Sequence, residues 1–226
     1  MNSSKITMKT ARLALSALAA AAILSVTASA QLTLDNFPTG SDGNYVKSLT
    51  APSGAVSSAT HTEPLPAGSP LGAGRWTNFI VASPYAQSST VDVGNSILIV
   101  DSGFQNETIL QMFYGVNVHG KQAPMGLNLG AYSGFQLNFA GSLSAPDDLA
   151  VLVEVWPSSG GYYISLVDVP PSYYPFSVAF PYTSFTPGGG GSGGLTSAQA
   201  SDISYIEIQF YSGYNQTYGV TSFQAY

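Results

Sequence analysis

A two-residue rhythm runs through the chain from Trp76 to its end. Phe135, Leu137 and Phe139 alternate with Gln136 and Asn138, and Val151, Val153 and Val155 alternate with Glu154 and Trp156. Ile206, Ile208 and Phe210 alternate with Tyr205, Glu207, Gln209 and Tyr211. Successive side chains of a strand point to opposite faces, so each of these runs has one apolar and one mixed face. No stretch after the first thirty residues holds an apolar 3.6-residue period for three turns, which predicts little helix.

Read in order, the strand signals are Leu32–Phe37, Thr77–Ala82, Thr90–Val93, Ile97–Asp101, Thr108–Val118 and Phe135–Leu143. They continue with Leu149–Trp156, Tyr162–Val169, Tyr174–Phe180, Ile203–Tyr211 and Tyr218–Ala225. Gly, Pro, Ser or Asp bounds each one. Val93-Gly94-Asn95-Ser96 and Ser158-Ser159-Gly160-Gly161 read as hairpin turns. Residues 42–75 are dominated by Gly, Ser, Thr, Pro and Ala; they carry only a weak strand signal at Ala55–Thr62, and no core is placed there. Many short strands separated by turns predict an all-β fold, an antiparallel two-sheet β-sandwich of the jelly-roll kind.

The first thirty residues stand apart. Lys5, Lys9 and Arg12 precede an apolar run, Leu13–Val26, and a small-residue pattern, Ala28-Ser29-Ala30. That is the layout of a secretory signal peptide with cleavage before Gln31. The run is shorter than the roughly 20 residues of a membrane span. With no Cys at the cleavage point and no later long apolar segment, the expectation is a released protein, periplasmic or extracellular, without a membrane anchor.

Gln31–Tyr226 then suits one domain of about 200 residues. Pro187–Gly194 (PGGGGSGG) is read as a flexible loop inside that domain, because too few residues follow it to form another. No Lys-Ser/Thr follows the glycines, so it is not a phosphate-binding loop. Only Lys47, Arg75 and Lys121 remain to face twelve acids after residue 30, a net charge of −9. Nucleic acid is excluded as an expected partner, since phosphate binding needs a basic patch. Cysteine is absent, which removes thiol chemistry and leaves the core alone to hold an exported fold.

The order of motifs resembles the galactose-binding-like jelly rolls. The Leu-Asp-Asn-Phe segment at Leu34–Phe37 precedes Gly72-Ala73-Gly74-Arg75-Trp76, then Leu127-Asn128-Leu129 with Tyr132-Ser133-Gly134-Phe135. Phe176–Phe180 leads into Pro181–Phe185, and Tyr218–Phe223 closes the chain. The pattern is similar to carbohydrate-binding-module-like domains, the complex I intermediate-associated protein type among them. Such a resemblance implies a sandwich, a glycan or cell-envelope polysaccharide as partner, and no cofactor beyond a structural calcium between the first and last strands. Asp35 is the carboxylate left for that calcium. Asn128 stands where relatives tend to carry Asp, and Thr221 or Ser222 occupies the last-strand acid position.

Sugar-binding surfaces set aromatic faces against pyranose rings and use amides and carboxylates for the hydroxyls. The mixed faces supply Trp156, Glu154, Gln136, Asn138, Tyr163, Tyr205, Glu207, Gln209 and Tyr211 as one candidate platform, with Trp156 as its anchor. The same residues also suit a solvated outer sheet face. A structural or adhesive role through self-association is the alternative from another class. For catalysis, Glu154 and Glu207 are a candidate carboxylate pair, which a glycosidase needs at ~5–10 Å. Tyr114, His119 and Lys121 resemble the Tyr/His/Lys sets of β-sandwich polysaccharide lyases, although His119-Gly120-Lys121 reads as a hairpin tip. Asp147-Asp148 after Pro146 is read as turn chemistry. A Gly-x-Ser-x-Gly elbow is absent, and the two histidines, His61 and His119, have no metal-ligand spacing. The expectation is a non-catalytic binding protein.

Overall fold

A computed structural model describes residues 30–39, 44–83, 85–142 and 149–226. The signal-peptide layout at residues 1–29 and the Asp147-Asp148 turn lie outside the described residues. Among the described residues fourteen strands follow in chain order, the first seven being β1 (Leu32–Asp35), β2 (Tyr45–Thr50), β3 (Ala55–Pro64), β4 (Gly74–Ser83), β5 (Ser88–Gly94), β6 (Ile97–Asp101) and β7 (Glu107–Val116). The second half holds β8 (Gly134–Ser142), β9 (Leu149–Pro157), β10 (Tyr163–Asp168), β11 (Phe176–Pro181), β12 (Thr186–Pro187), β13 (Ile203–Ser212) and β14 (Thr217–Ala225). Among the described residues, two short helical turns interrupt them: a 3-10 turn at Tyr182–Ser184 and α1 (Ser197–Ala200), the latter started by a capping box between Thr196 and Gln199.

The strands form two antiparallel seven-stranded sheets. The first has the order β11-β8-β14-β6-β5-β2, with β1 also paired to β14; the second is β12-β10-β9-β13-β7-β4-β3. The apolar halves of the alternation meet between them. Phe135, Leu137, Val91, Val93, Leu98, Val100 and Val220 come from the first sheet, and Phe79, Leu110, Met112, Val151, Val153, Ile206 and Ile208 from the second; all are fully buried. Rings close the gap directly: Phe210 stacks on Tyr218 at 5.7 Å and Tyr114 on Phe223 at 6.4 Å, in each case across the two sheets. The predicted sandwich is therefore the observed architecture.

Turn chemistry agrees with the sequence. Asn95 and Ser96, both at positive φ, make the β5–β6 hairpin, and Ser158–Gly161 joins β9 to β10. The glycine-rich loop is tied at its first glycine, where Gly188 donates its N–H to the Tyr162 carbonyl at 2.8 Å. A Cβ on Gly188 would fall within the Tyr162 ring, so that position must be glycine for the ring to lie there.

Residues 42–75 depart from expectation. They supply β2, a complete six-residue strand, and β3, which runs ten residues in full register with β4. Ser, Thr and Ala carry little apolar signal, but a strand at a sheet edge needs only one ladder and a small inner face. Tyr45 and His61 stack at 4.4 Å between β2 and β3, closing that side of the sandwich.

The inner face of the second sheet holds one charged row. Register places Glu63, Arg75 and Tyr114 side by side on β3, β4 and β7. Arg75 is wholly buried, pairs with Glu63, and reaches across to Asp35 of β1 at 2.5 Å. Tyr114 donates its hydroxyl to the same Asp35 oxygen at 2.8 Å, and the Phe37 N–H donates to the other at 2.7 Å. The guanidinium lies over the Phe37 ring, 5.4 Å from its centre. Asp35 is the one carboxylate the resemblance left for a structural calcium, and here donors and a guanidinium take both oxygens such a cation would need. Removing one partner of a buried ion cluster strands the others. Arg75→Ala is expected to lower the unfolding free energy by about 3–5 kcal/mol, read from urea denaturation at neutral pH.

Candidate functional site

The outer face of the second sheet carries the side chains that the core does not take. Strand register arranges them in rows. One row pairs Trp156 of β9 with Tyr205 of β13. The next runs Ile164, Glu154, Glu207, Phe113 and Trp76 across β10, β9, β13, β7 and β4. A third runs Leu166, Leu152, Gln209, Gln111 and Asn78, and the fourth contains Ala150, Tyr211, Ile109 and Ile80.

The first two rows make an aromatic group. Phe113 lies 5.7 Å from both Trp156 and Tyr205, edge-on to the first and stacked with the second. Tyr162, just ahead of β10, sits 6.1 Å from Trp156. The Tyr205 ring covers Gly115, whose φ is +91° and whose missing Cβ would come within 2.6 Å of that ring. Glycine there lets the ring lie flat against the strand.

Beside the aromatics sits a polar strip. Glu154 and Glu207 are directly opposite one another on β9 and β13. Gln111 donates to a Glu207 carboxylate oxygen at 3.3 Å, and Asn78 donates to the Gln111 carbonyl at 2.8 Å. The Tyr211 hydroxyl donates to the Gln209 carbonyl oxygen. Partial burial, reinforced by the neighbouring Glu207, raises the Glu154 pKa from the usual 4.5 to about 7. Burial also raises Glu207, against the lowering effect of its hydrogen bond with Gln209. Tyr211 is raised by burial and by both carboxylates. Near pH 7 Glu154 is therefore protonated in part of the molecules and increasingly so below it, and the face then offers acceptor and donor oxygens together.

Six of the nine sequence candidates, Trp156, Glu154, Tyr205, Glu207, Gln209 and Tyr211, share this face. Three do not. Gln136 and Asn138 lie on β8 and so on the outside of the other sheet. There they satisfy one another and their neighbours: Gln136 donates to Asn138 at 2.7 Å, Asn138 to Ser222 at 2.8 Å, and Ser177 to Asn138 at 2.6 Å. Tyr163 is opposite Val155, on the core side of β10, and its hydroxyl accepts from Gln199 of α1. The hairpin fixes that register, and a one-residue offset exchanges the two faces of a strand. Ile164 and Leu166 take the outer positions that Tyr163 was expected to occupy.

Phe113 and Trp76 were missed, although the signal was present. Phe113 alternates with buried Met112 and Tyr114, and Trp76 with buried Thr77 and Phe79. The same alternation in β4 and β7 sets both on the outer face. The Tyr114, His119 and Lys121 set does not converge. Tyr114 is buried against Asp35, whereas His119 and Lys121 are exposed in a tip where both donate their N–H groups to the Asn117 side chain. His61 is stacked on Tyr45. Asn128 accepts from the Gly130 N–H, a turn role. Among the described residues, no group of three or more His, Asp or Glu is placed to hold a metal ion, and no helix is long and apolar enough to cross a membrane.

No protein-family model and no curated protein matches the sequence. Among solved structures, the chain is similar to a family 11 carbohydrate-binding module from Clostridium thermocellum in complex with a β-1,3-1,4-mixed-linked tetrasaccharide. The identity is 11%, the TM-score 0.42, and the match covers 88% of this chain and 96% of that one. It is also similar to TmCBM61 in complex with β-1,4-galactotriose, at 7% identity and a TM-score of 0.30, over 76% of this chain and 87% of that one. A third similar structure is an agarase, AgWH50C, at 11% identity and a TM-score of 0.40, covering 61% of this chain and 21% of that chain.

The raised Glu154 pKa fixes the sign of a pH effect. The folded state holds this proton more tightly than the unfolded chain, so its stabilising effect is complete below about pH 4.5 and is lost as the pH rises through about 7. Thermal melts are expected to show a fall in stability between those values. Glu154→Gln, which cannot ionise, is expected to make that slope shallower and to melt higher than the parent at pH 8.

Proposed function

We propose that the chain is an exported, non-catalytic protein that binds a neutral carbohydrate through the outer face of its second sheet. The observation that carries this reading is the joint arrangement of Trp156, Phe113 and Tyr205 in ring contact beside the in-register pair Glu154 and Glu207. Apolar ring faces suit the C–H faces of pyranoses, and adjacent carboxyl and amide groups suit their hydroxyls. The charge argues against acidic polymers. Of the three cations left after residue 30, Arg75 is buried under the core, Lys47 belongs to the first sheet, and Lys121 sits in the tip beyond β7. A polyuronate would meet Glu154 and Glu207 with no cation on their strands. Export rests on the signal-peptide layout of residues 1–30.

A second reading is favoured by one specific observation, the raised pKa of Glu154 opposite Glu207. Directly opposed strand residues have Cβ atoms about 4.5–5.5 Å apart, a base from which two Glu side chains can bring their carboxyl groups to the ~5–5.5 Å of a retaining glycosidase. Release of reducing ends from a neutral glycan, abolished by Glu154→Gln, would establish hydrolysis in place of simple binding.

The binding reading is tested by pull-down and titration against a panel of neutral insoluble and soluble polysaccharides. Trp156→Ala is expected to weaken binding at least about tenfold, the equivalent of ~1.4 kcal/mol. Gln136→Ala on the opposite sheet is expected to leave it unchanged. Absence of binding to every neutral glycan, or equal loss in both variants, would overturn the assignment of this face.

A further inference from the structure

Besides the four-residue β1, which pairs with β14 alone, the two sheets end in four edges that are not equally protected. The first sheet ends at β11, which is bracketed by Pro175 and Pro181, and at β2, a six-residue strand carrying Lys47. The second ends on one side at β12, two residues of which one is proline. Short strands, prolines and lysines are the usual means of blocking edge-to-edge pairing. On the other side the second sheet ends at β3, ten residues long, and from Ala55 to Thr62 it contains neither a formal charge nor a proline.

The backbone of β3 is open along that edge. Leu65 donates its N–H to Ala73, and the β3–β4 register continues this phase, so from Ser57 onward odd-numbered residues bond towards β4. Val56, Ser58, Thr60 and Thr62 direct their N–H and C=O groups away from the sheet. Among the described residues no strand pairs with that side of β3. Val56 is 65% exposed, and Ser58 and Thr60 are exposed as well.

We propose that β3 is the interface of a homodimer, formed when two copies pair their β3 edges antiparallel about a two-fold axis at Ala59. In that register Val56 faces Thr62 of the second copy, and Ser58 faces its Thr60. These are small, β-branched or hydroxyl-bearing pairs, of the kind that stabilises cross-strand contacts. A second copy fits better than a foreign strand because the segment is complementary to itself and uncharged, whereas the residues after 30 otherwise carry three basic against twelve acidic side chains, a net charge of −9, and repel their own kind. The uncharged strip is where two such chains can meet. The pairing is isologous and closes at two copies, and it makes the outer faces of the two second sheets continuous. A single ladder buries less than the roughly 1,200 Å² of a standard interface, so the dimer is expected to be concentration-dependent. The proposal does not rest on the glycan reading.

Sedimentation equilibrium of the purified chain from roughly 1 to roughly 500 μM tests it. The weight-average mass is expected to rise from that of one chain to twice that value. Thr60→Pro removes only an outward N–H, and Ser58→Lys places a charge beside the axis, opposite Thr60 of the second copy; each is expected to shift the midpoint to at least about tenfold higher concentration, with unchanged thermal stability. Should Thr60→Pro fail to fold, Ser58→Lys carries the test, being a surface change. A strictly monomeric parent overturns the proposal. So does a parent dimer that neither variant weakens, since another surface would then be responsible.

Discussion

Each sheet must hide one face against the other, and this single constraint governs what the remaining side chains can do. Because side chains alternate along a strand, burying Val151, Val153 and Val155 obliges Leu152, Glu154 and Trp156 to face outward. The same holds for β13 and β7, so the register that builds the core also builds the outer rows. The aromatic group and the carboxylate pair are the complement of the core, produced by the same ladders.

The sheets are also joined by charge. Arg75 links Glu63 on its own sheet to Asp35 on the other, with the Tyr114 hydroxyl and the Phe37 ring completing its surroundings. Burying two carboxylates against one guanidinium is costly unless the geometry is fixed, so such a cluster favours one alignment of β1 against β3, β4 and β7 over neighbouring ones. A chain without disulfides gains registry from it. Trp76 follows Arg75 directly, so the alignment that seats the guanidinium inside sets the indole on the outer face.

On that outer face, environment gives two chemically identical groups a shared character. Glu154 and Glu207 repel one another and are half-shielded from water, and Glu154 in particular stays protonated further up the pH scale than a free carboxyl would. The neighbouring amides of Gln111 and Asn78 relay hydrogen bonds across three strands to Glu207. A strip that can both donate and accept suits hydroxyl-rich ligands.

Much of this was legible in the residues. Period-two alternation, turn composition and the absence of helical periodicity determined an antiparallel sandwich, and they determined that Trp156, Glu154, Tyr205, Glu207, Gln209 and Tyr211 would be outward on their strands. What the residues could not determine was which strands share a sheet, because partner choice depends on contacts far apart in the chain. Only the tertiary structure separated Gln136 and Asn138 from the others, turned Tyr163 inward through the hairpin register, and added Phe113 and Trp76. It alone turned the weak signal of residues 42–75 into two edge strands, since an edge needs little apolar surface to be held. It also set a guanidinium against the one carboxylate that the resemblance left for a calcium, because Arg75 and Asp35 meet only when the two sheets close.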